Sequence, residues 1–154
     1  MTHHYRPSKF EDCRELAPHM REQDKIEIMY SNAALPLQAL QVGYNESEEC
    51  NSIIHEDGNV VGMFGVANAG VFASPWLLGS DKIIDTRNEF IPQAKEWVEK
   101  ISKKYPILLN YVHEGNEVSK RWLKSLGFEF IKLEKEYGVG QQPFYLFVRI
   151  TNHV

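Results

Sequence analysis

The sequence predicts an α/β fold in which a mixed sheet of six or seven strands is flanked by helices. Three observations lead there. Stretches with apolar residues at helical spacing interleave with short apolar runs, in the order β-α-α-β-β-β-α-β-α-β-β. Two segments, Ser8-Lys9-Phe10-Glu11 and Thr86-Arg87-Asn88-Glu89, place a glutamate three residues after a hydroxyl, the pattern of a capping box. The chain has 154 residues, 43% of them apolar and 25% charged, with no repeat or Pro/Gly/Ser-rich linker. One domain over 1–154 is expected.

Each element has its own signal. A short extended segment near His4–Arg6 leads into a helix carrying Phe10, Cys13, Leu16, Ala17 and Met20, weakened at its far end by Pro18. A second helical piece covers Asp24–Ser31. A third opens at Pro36, with Leu37 and Leu40 inward. Ser52–Glu56, Asp57-Gly58-Asn59 and Val60–Val66 read as a hairpin, since Asp-Gly tolerates the positive φ of a tight turn. Gly70–Leu78 supplies a third strand, and Pro75 marks an irregularity or an unpaired edge in it. The longest helix runs from the second capping box to about Tyr105, with Phe90, Ala94, Trp97, Val98 and Ile101 on one stripe. Pro106 stops it, and Ile107–His113 is a strand. Gly115-Asn116 opens an amphipathic helix through Leu126, and Gly127 ends it. Phe128–Leu133 and Phe144–Ile150 close the sheet around a turn with Gly138, Gly140 and Pro143. Phe90, Trp97, Ile101, Leu109, Tyr111, Trp122, Leu126 and Phe128 are expected to form one cluster.

Charge is unevenly spread. Residues 1–85 hold six basic against thirteen acidic side chains, and residues 86–135 hold ten against seven. An acidic chain without a basic stripe is a poor nucleic-acid binder, although the second half could hold a small polyanion. No apolar run approaches the roughly 18 residues of a membrane span. The start, Met1 to Arg6, lacks the apolar segment of a signal peptide. A soluble, non-secreted protein is expected. Cys13 and Cys50 are too few for a disulfide framework, and neither they nor the six histidines show metal-ligand spacing.

The segment Val112 to Phe128, with Asn116, a small residue at Ser119 and Gly127-Phe128 closing the helix, resembles the GNAT (Gcn5-related N-acetyltransferase) superfamily. Ser74-Pro75-Trp76-Leu77-Leu78-Gly79-Ser80, Lys104-Tyr105-Pro106 and Leu109-Asn110-Tyr111-Val112 are similar to a phage-encoded GNAT-like branch that includes the internal virion protein A group of short-tailed phages. The resemblance implies acetyl-CoA as cofactor, held between the fourth and fifth strands, and an amine of a small molecule or host protein as acceptor. It further implies work in the cytoplasm of an infected host cell or packaging in the virion. On it, Leu78, Gly79, Ser80, Asn116, Ser119 and Lys120 are the expected cofactor contacts. An alternative from another class is a non-catalytic GNAT-fold phage protein, acting as a virion component or binding a host factor.

Two departures from the family pattern stand out. Its phosphate loop reads Arg/Gln-x-x-Gly-x-Gly/Ala, whereas Trp76-Leu77-Leu78-Gly79-Ser80-Asp81-Lys82 has one glycine and a carboxylate. The helix position where many members carry an acidic tyrosine is Leu123, which has no proton to give. Tyr111 or Tyr137 could stand in. Glu27, His55, Glu56 and His113 are base candidates. Asn116 is equally a helix N-cap. Trp76 and Trp97 are expected in the core.

Overall fold

The computed structural model describes residues 4–85 and 87–151, without the side chains of His4, Arg87 and Asn88. Its strands are β1 (His4–Pro7), β2 (Glu49–Ile54), β3 (Val60–Asn68), β4 (Ala73–Gly79), β5 (Ile107–His113), β6 (Glu129–Tyr137) and β7 (Gln142–Ile150). Its helices are α1 (Asp12–Leu16), α2 (Glu22–Asn32), α3 (Pro36–Glu46), α4 (Lys82–Asp85), α5 (Arg87–Lys104) and α6 (Glu117–Ser125). The strands form one sheet in the order β1-β2-β3-β4-β5-β7-β6. All neighbours are antiparallel except β4 and β5, which run parallel.

Packing divides by face. On one side, α5 and α6 bury Phe90, Trp97, Ile101 and Trp122 against Phe64, Leu108, Val112 and Phe147 of the strands. On the other, α1 to α3 bury Leu16, Ile28 and Leu40 against Met63 and Leu78. Strand parity corrects the expected cluster at two positions: in β5 it is Leu108 and Val112 that turn inward, while Leu109 and Tyr111 are only half-buried. Tyr111 instead stacks on Tyr137, with ring centroids 4.2 Å apart. Trp97 is 4% exposed and meets the Phe64 ring edge-on at 4.8 Å.

The first helix is shorter than its periodicity suggests. It ends at Leu16, and Ala17–His19 continues as a 3-10 turn, because Pro18 lacks the N–H an α-helix would use there. Ser8 is not its cap. The Ser8 hydroxyl lies 2.7 Å from that of Ser52, while the Asp12 carboxylate accepts the Lys9 N–H at 2.8 Å and pairs with Arg6. Phe10 is exposed at that end. Thr86, the hydroxyl of the second capping box, lies outside the described residues, and a short helix absent from the sequence reading, α4, precedes α5. The β2–β3 turn has Gly58 at φ 89°, as Asp-Gly predicts. Asn116 caps α6, accepting the Ser119 N–H at 3.3 Å.

Trp97→Ala should cost about 3–5 kcal/mol, since it removes the largest side chain between α5 and the sheet. Urea denaturation checks this, and a loss below about 1 kcal/mol would contradict the packing described.

Candidate functional site

The parallel pair β4 and β5 is joined at one ladder position only, Ala73 opposite Leu108. Beyond it the strands splay toward their C-terminal ends. Pro75 sits beside the gap, where its missing N–H costs nothing. Asn110 spans the narrow part, donating from Nδ2 to the Pro75 carbonyl at 3.0 Å and accepting the Tyr111 N–H at 2.8 Å. Ladder parity turns the main-chain groups of Leu77 and Gly79 toward the gap, because Ser80 donates its N–H to Val61 of β3.

A cavity of about 880 Å³ fills this gap and reaches both faces of the sheet. Trp97, Trp122 and Leu123 line it on the α5–α6 side, and Ile28, Ala39 and Gly43 on the α2–α3 side. Its walls are mostly apolar, the usual character of a small-molecule site. Trp76 lines it as well, its Nε1 donating to Ser47 Oγ at 2.7 Å. Trp76 is therefore wall as well as core.

A chain of polar groups closes the open end, with Arg21, Asp24 and Asn116 buried and Glu27 half-buried. Asp24 Oδ2 accepts the Gly79 N–H at 2.9 Å, and Asp24 Oδ1 pairs with Arg21 at 3.0 Å. Arg21 also reaches Asn116 Oδ1 at 3.4 Å. Asn116 Nδ2 donates to Glu27 Oε2 at 3.0 Å, and Glu27 Oε1 accepts the His113 N–H at 2.7 Å. One carboxylate therefore holds the end of β4, and another holds the end of β5. Backbone contributes too: the Arg21 N–H donates to the Gly79 carbonyl at 2.8 Å, and Met20 bridges Ser80 as a one-residue strand.

Burial dominates the electrostatics. It pushes the Asp24 carboxyl up to about 6 despite the guanidinium beside it. It pushes Glu27 up to about 8, helped by the neighbouring Asp24 charge and opposed by the N–H groups of His113 and Asn116. Burial also lowers the His113 imidazole.

The structure sorts the expected site residues. Leu78 and Ser119 line the cavity or its edge. Gly79 and Ser80 stand at the open end, but their N–H groups are bonded to Asp24 and Val61. Asn116 is fully buried, with both ends of its amide bonded within the protein, so it positions the strand ends and caps α6. Lys120 pairs with Glu117 at 2.7 Å and lies 5.4 Å from the Tyr145 ring centroid. Of the base candidates, Glu27 alone lines the cavity; His55 and Glu56 belong to the β2–β3 turn, where His55 contacts Asp57. Tyr111 and Tyr137 both line the cavity. Arg21 and Asp24 were missed. Their signal was the three-residue spacing of Arg21, Asp24 and Glu27, which puts three charges on one helix face.

The fold recurs in known structures. A GNAT-family acetyltransferase from Bacillus anthracis superposes with a TM-score of 0.72 at 11% identity, over 97% of this chain and 95% of the other. Ard1 from Thermoplasma volcanium gives 0.72 at 15% identity, over 99% and 100%. A GCN5-related N-acetyltransferase from Kribbella flavida gives 0.69 at 17% identity, over 96% and 97%. The chain has the GNAT fold. No family model matches its sequence, and no curated protein does. Among the described residues no group of His, Cys, Asp or Glu is arranged to hold a metal ion, and no helix is long and apolar enough to cross a membrane.

A carboxyl whose folded pKa is raised binds more protons in the native state than unfolded. Its contribution to stability is complete below the ordinary carboxylate range and is lost as pH rises through the folded value. Among the described residues only Glu27 acts this way between about pH 6.5 and about pH 8. Urea midpoints should therefore fall across that interval in the wild type, and Glu27→Gln should flatten the fall. An unchanged slope in the variant would contradict the assignment.

Proposed function

We propose that the protein is a GNAT-like acyltransferase that transfers an acyl group from acyl-CoA to an amine. The observation carrying this reading is the cavity that passes through the sheet between β4 and β5, apolar on its walls and bordered by the half-buried Glu27. When bound, acetyl-CoA would supply the activated acyl group. The gap fits its extended amide-bearing arm: Leu77 turns main-chain groups toward it, and Leu78 and Ser119 lie alongside. The phosphate end fits less well. Lys120, the one cation among the expected contacts, is paired with Glu117, and Gly79 and Ser80 would serve only if their N–H groups were released.

On the α2–α3 side Glu27 is placed to take a proton from an attacking amine. A carboxyl raised to about 8 accepts that proton only once it has ionised, so its work is done toward the alkaline side. The Tyr111–Tyr137 pair carries the phenolic hydroxyls of the cavity wall, and burial raises Tyr137, which keeps its phenol protonated. Leu123 lines the cavity without a proton to give.

The matching segments around Ser74–Ser80 and Leu109–Asn116 support a narrower reading, a phage-encoded branch working in the infected host's cytoplasm or packaged in the virion, on a small amine or a host protein. The engaged N–H groups of Gly79 and Ser80 favour the second reading, a GNAT-fold protein without catalysis.

Thiol release from acetyl-CoA, stimulated by added amines, tests the proposal. Activity should rise with pH through about 8, and Glu27→Gln should lower it by about 10²-fold or more. Calorimetry should give acetyl-CoA a Kd of tens of micromolar or poorer, on the order of 6 kcal/mol, weakening with salt. Sub-micromolar binding indifferent to salt would contradict the reading of the loop. No binding at millimolar cofactor would leave the non-catalytic reading.

A further inference from the structure

The open end of the β4–β5 gap is filled by the chain itself. Gly79 faces the gap with both main-chain groups, and both are taken: Asp24 accepts its N–H at 2.9 Å, and Arg21 donates to its carbonyl at 2.8 Å. The Arg21 side chain is 7% exposed and that of Asp24 3%. A buried guanidinium and a strand-end N–H that converge on one carboxylate make an anion site, with the anion supplied by the chain. A second observation points to a ligand there. Two buried side-chain oxygens lack a hydrogen-bond partner among the described residues, Ser80 Oγ and Gln23 Oε1, and both belong to residues next in the chain to the groups that meet here. Ser80 is 6% exposed and adjoins Gly79, while Gln23 lies between Arg21 and Asp24 and donates to the Gly115 carbonyl. A hydroxyl donor left over beside an arginine and a glycine N–H suits a phosphate oxygen.

We propose that Asp24 is a built-in occupant of the anion end of this cleft, so that a phosphate-bearing ligand binds there by displacing the Asp24 carboxylate and taking over the Arg21 side chain, the Gly79 N–H and the Ser80 hydroxyl. The proposal rests on the gap being the acyl-carrier cleft. It gives a physical cause for weak binding that the missing glycines alone do not: the site is present and self-occupied. Asp24 and Glu27 add negative charge where a phosphate would arrive, and Asp81 lies close enough to act on Asp24. Arg21 opposes them, paired with Asp24 and in reach of Asn116.

Calorimetry with two probes tests it: acetyl-CoA, and acetylpantetheine, which lacks the phosphates. Asp24→Ala should bind acetyl-CoA about tenfold tighter than the wild type or better, with the gain shrinking at high salt, and acetylpantetheine affinity should stay unchanged. Equal or weaker acetyl-CoA binding by the variant would overturn the proposal while leaving the cleft reading intact. Binding of neither probe to either protein would overturn the cleft reading and the proposal with it. Asp24→Ala leaves Arg21 buried and unpaired, which threatens the fold, so melting curves accompany the titration. Amide NMR on the wild type gives a second, independent arm. The Gly79 N–H, passed from Asp24 to a phosphate, should shift at saturating acetyl-CoA but not at saturating acetylpantetheine, and the same response to both would overturn the proposal.

Discussion

The bond from the Gly79 N–H to Asp24 closes a sheet that has come apart. β4 and β5 share one ladder pair and then diverge, which leaves main-chain groups without strand partners in a largely apolar setting. Buried main-chain groups left unpaired cost stability, so the separation persists only because side chains replace the ladder. Asn110 does so in the narrow part, Asp24 at the end of β4 and Glu27 at the end of β5. Arg21 and Asn116 join the last two into one network.

That arrangement ties site chemistry to stability. The carboxylates that hold the strands are the ones whose proton affinity burial raises most, and each is held by N–H donors as well as by charge. A buried ion pair such as Arg21–Asp24 gives little net stability relative to apolar packing, yet losing one partner strands the other. The β6–β7 turn adds a second constraint on α2. The Gly138 and Gly140 backbone packs directly on Tyr30 and Ser31, and a Cβ at Gly138 would come within 2.7 Å of Ser31 Cα. Gly140 also donates its N–H to the Tyr30 carbonyl at 2.8 Å. Helix α2, which carries Asp24 and Glu27, is thus pinned at both ends.

The fold was largely legible because its signals are local. The Asp57-Gly58 turn, Pro106 after the long helix, and Asn116 with Gly127 around α6 each act within a few residues. Errors arose where tertiary packing decides. Ser8 lost its capping role to a partnership with Ser52, forty-four residues away. Leu109 and Tyr111 were placed inward although β5 turns Leu108 and Val112 that way. The site was less legible. Glu27 was one of four base candidates, and spacing could not choose among them. Arg21 and Asp24 look like ordinary charges of a solvated helix until β4 is brought against them. Asn116 showed its cap in sequence but not its bond to Glu27, which joins residues eighty-nine apart.

The central claim is that the β4–β5 gap is the ligand site and that its open end is closed from within. Amide chemical-shift mapping during an acetyl-CoA titration tests it most directly. Perturbations should concentrate at Leu77, Gly79, Val112 and Ser119, together with Arg21 and Asp24 at the closed end. Perturbations confined to the separate surface cavity bordered by Tyr5, Glu49 and Lys100 would contradict it.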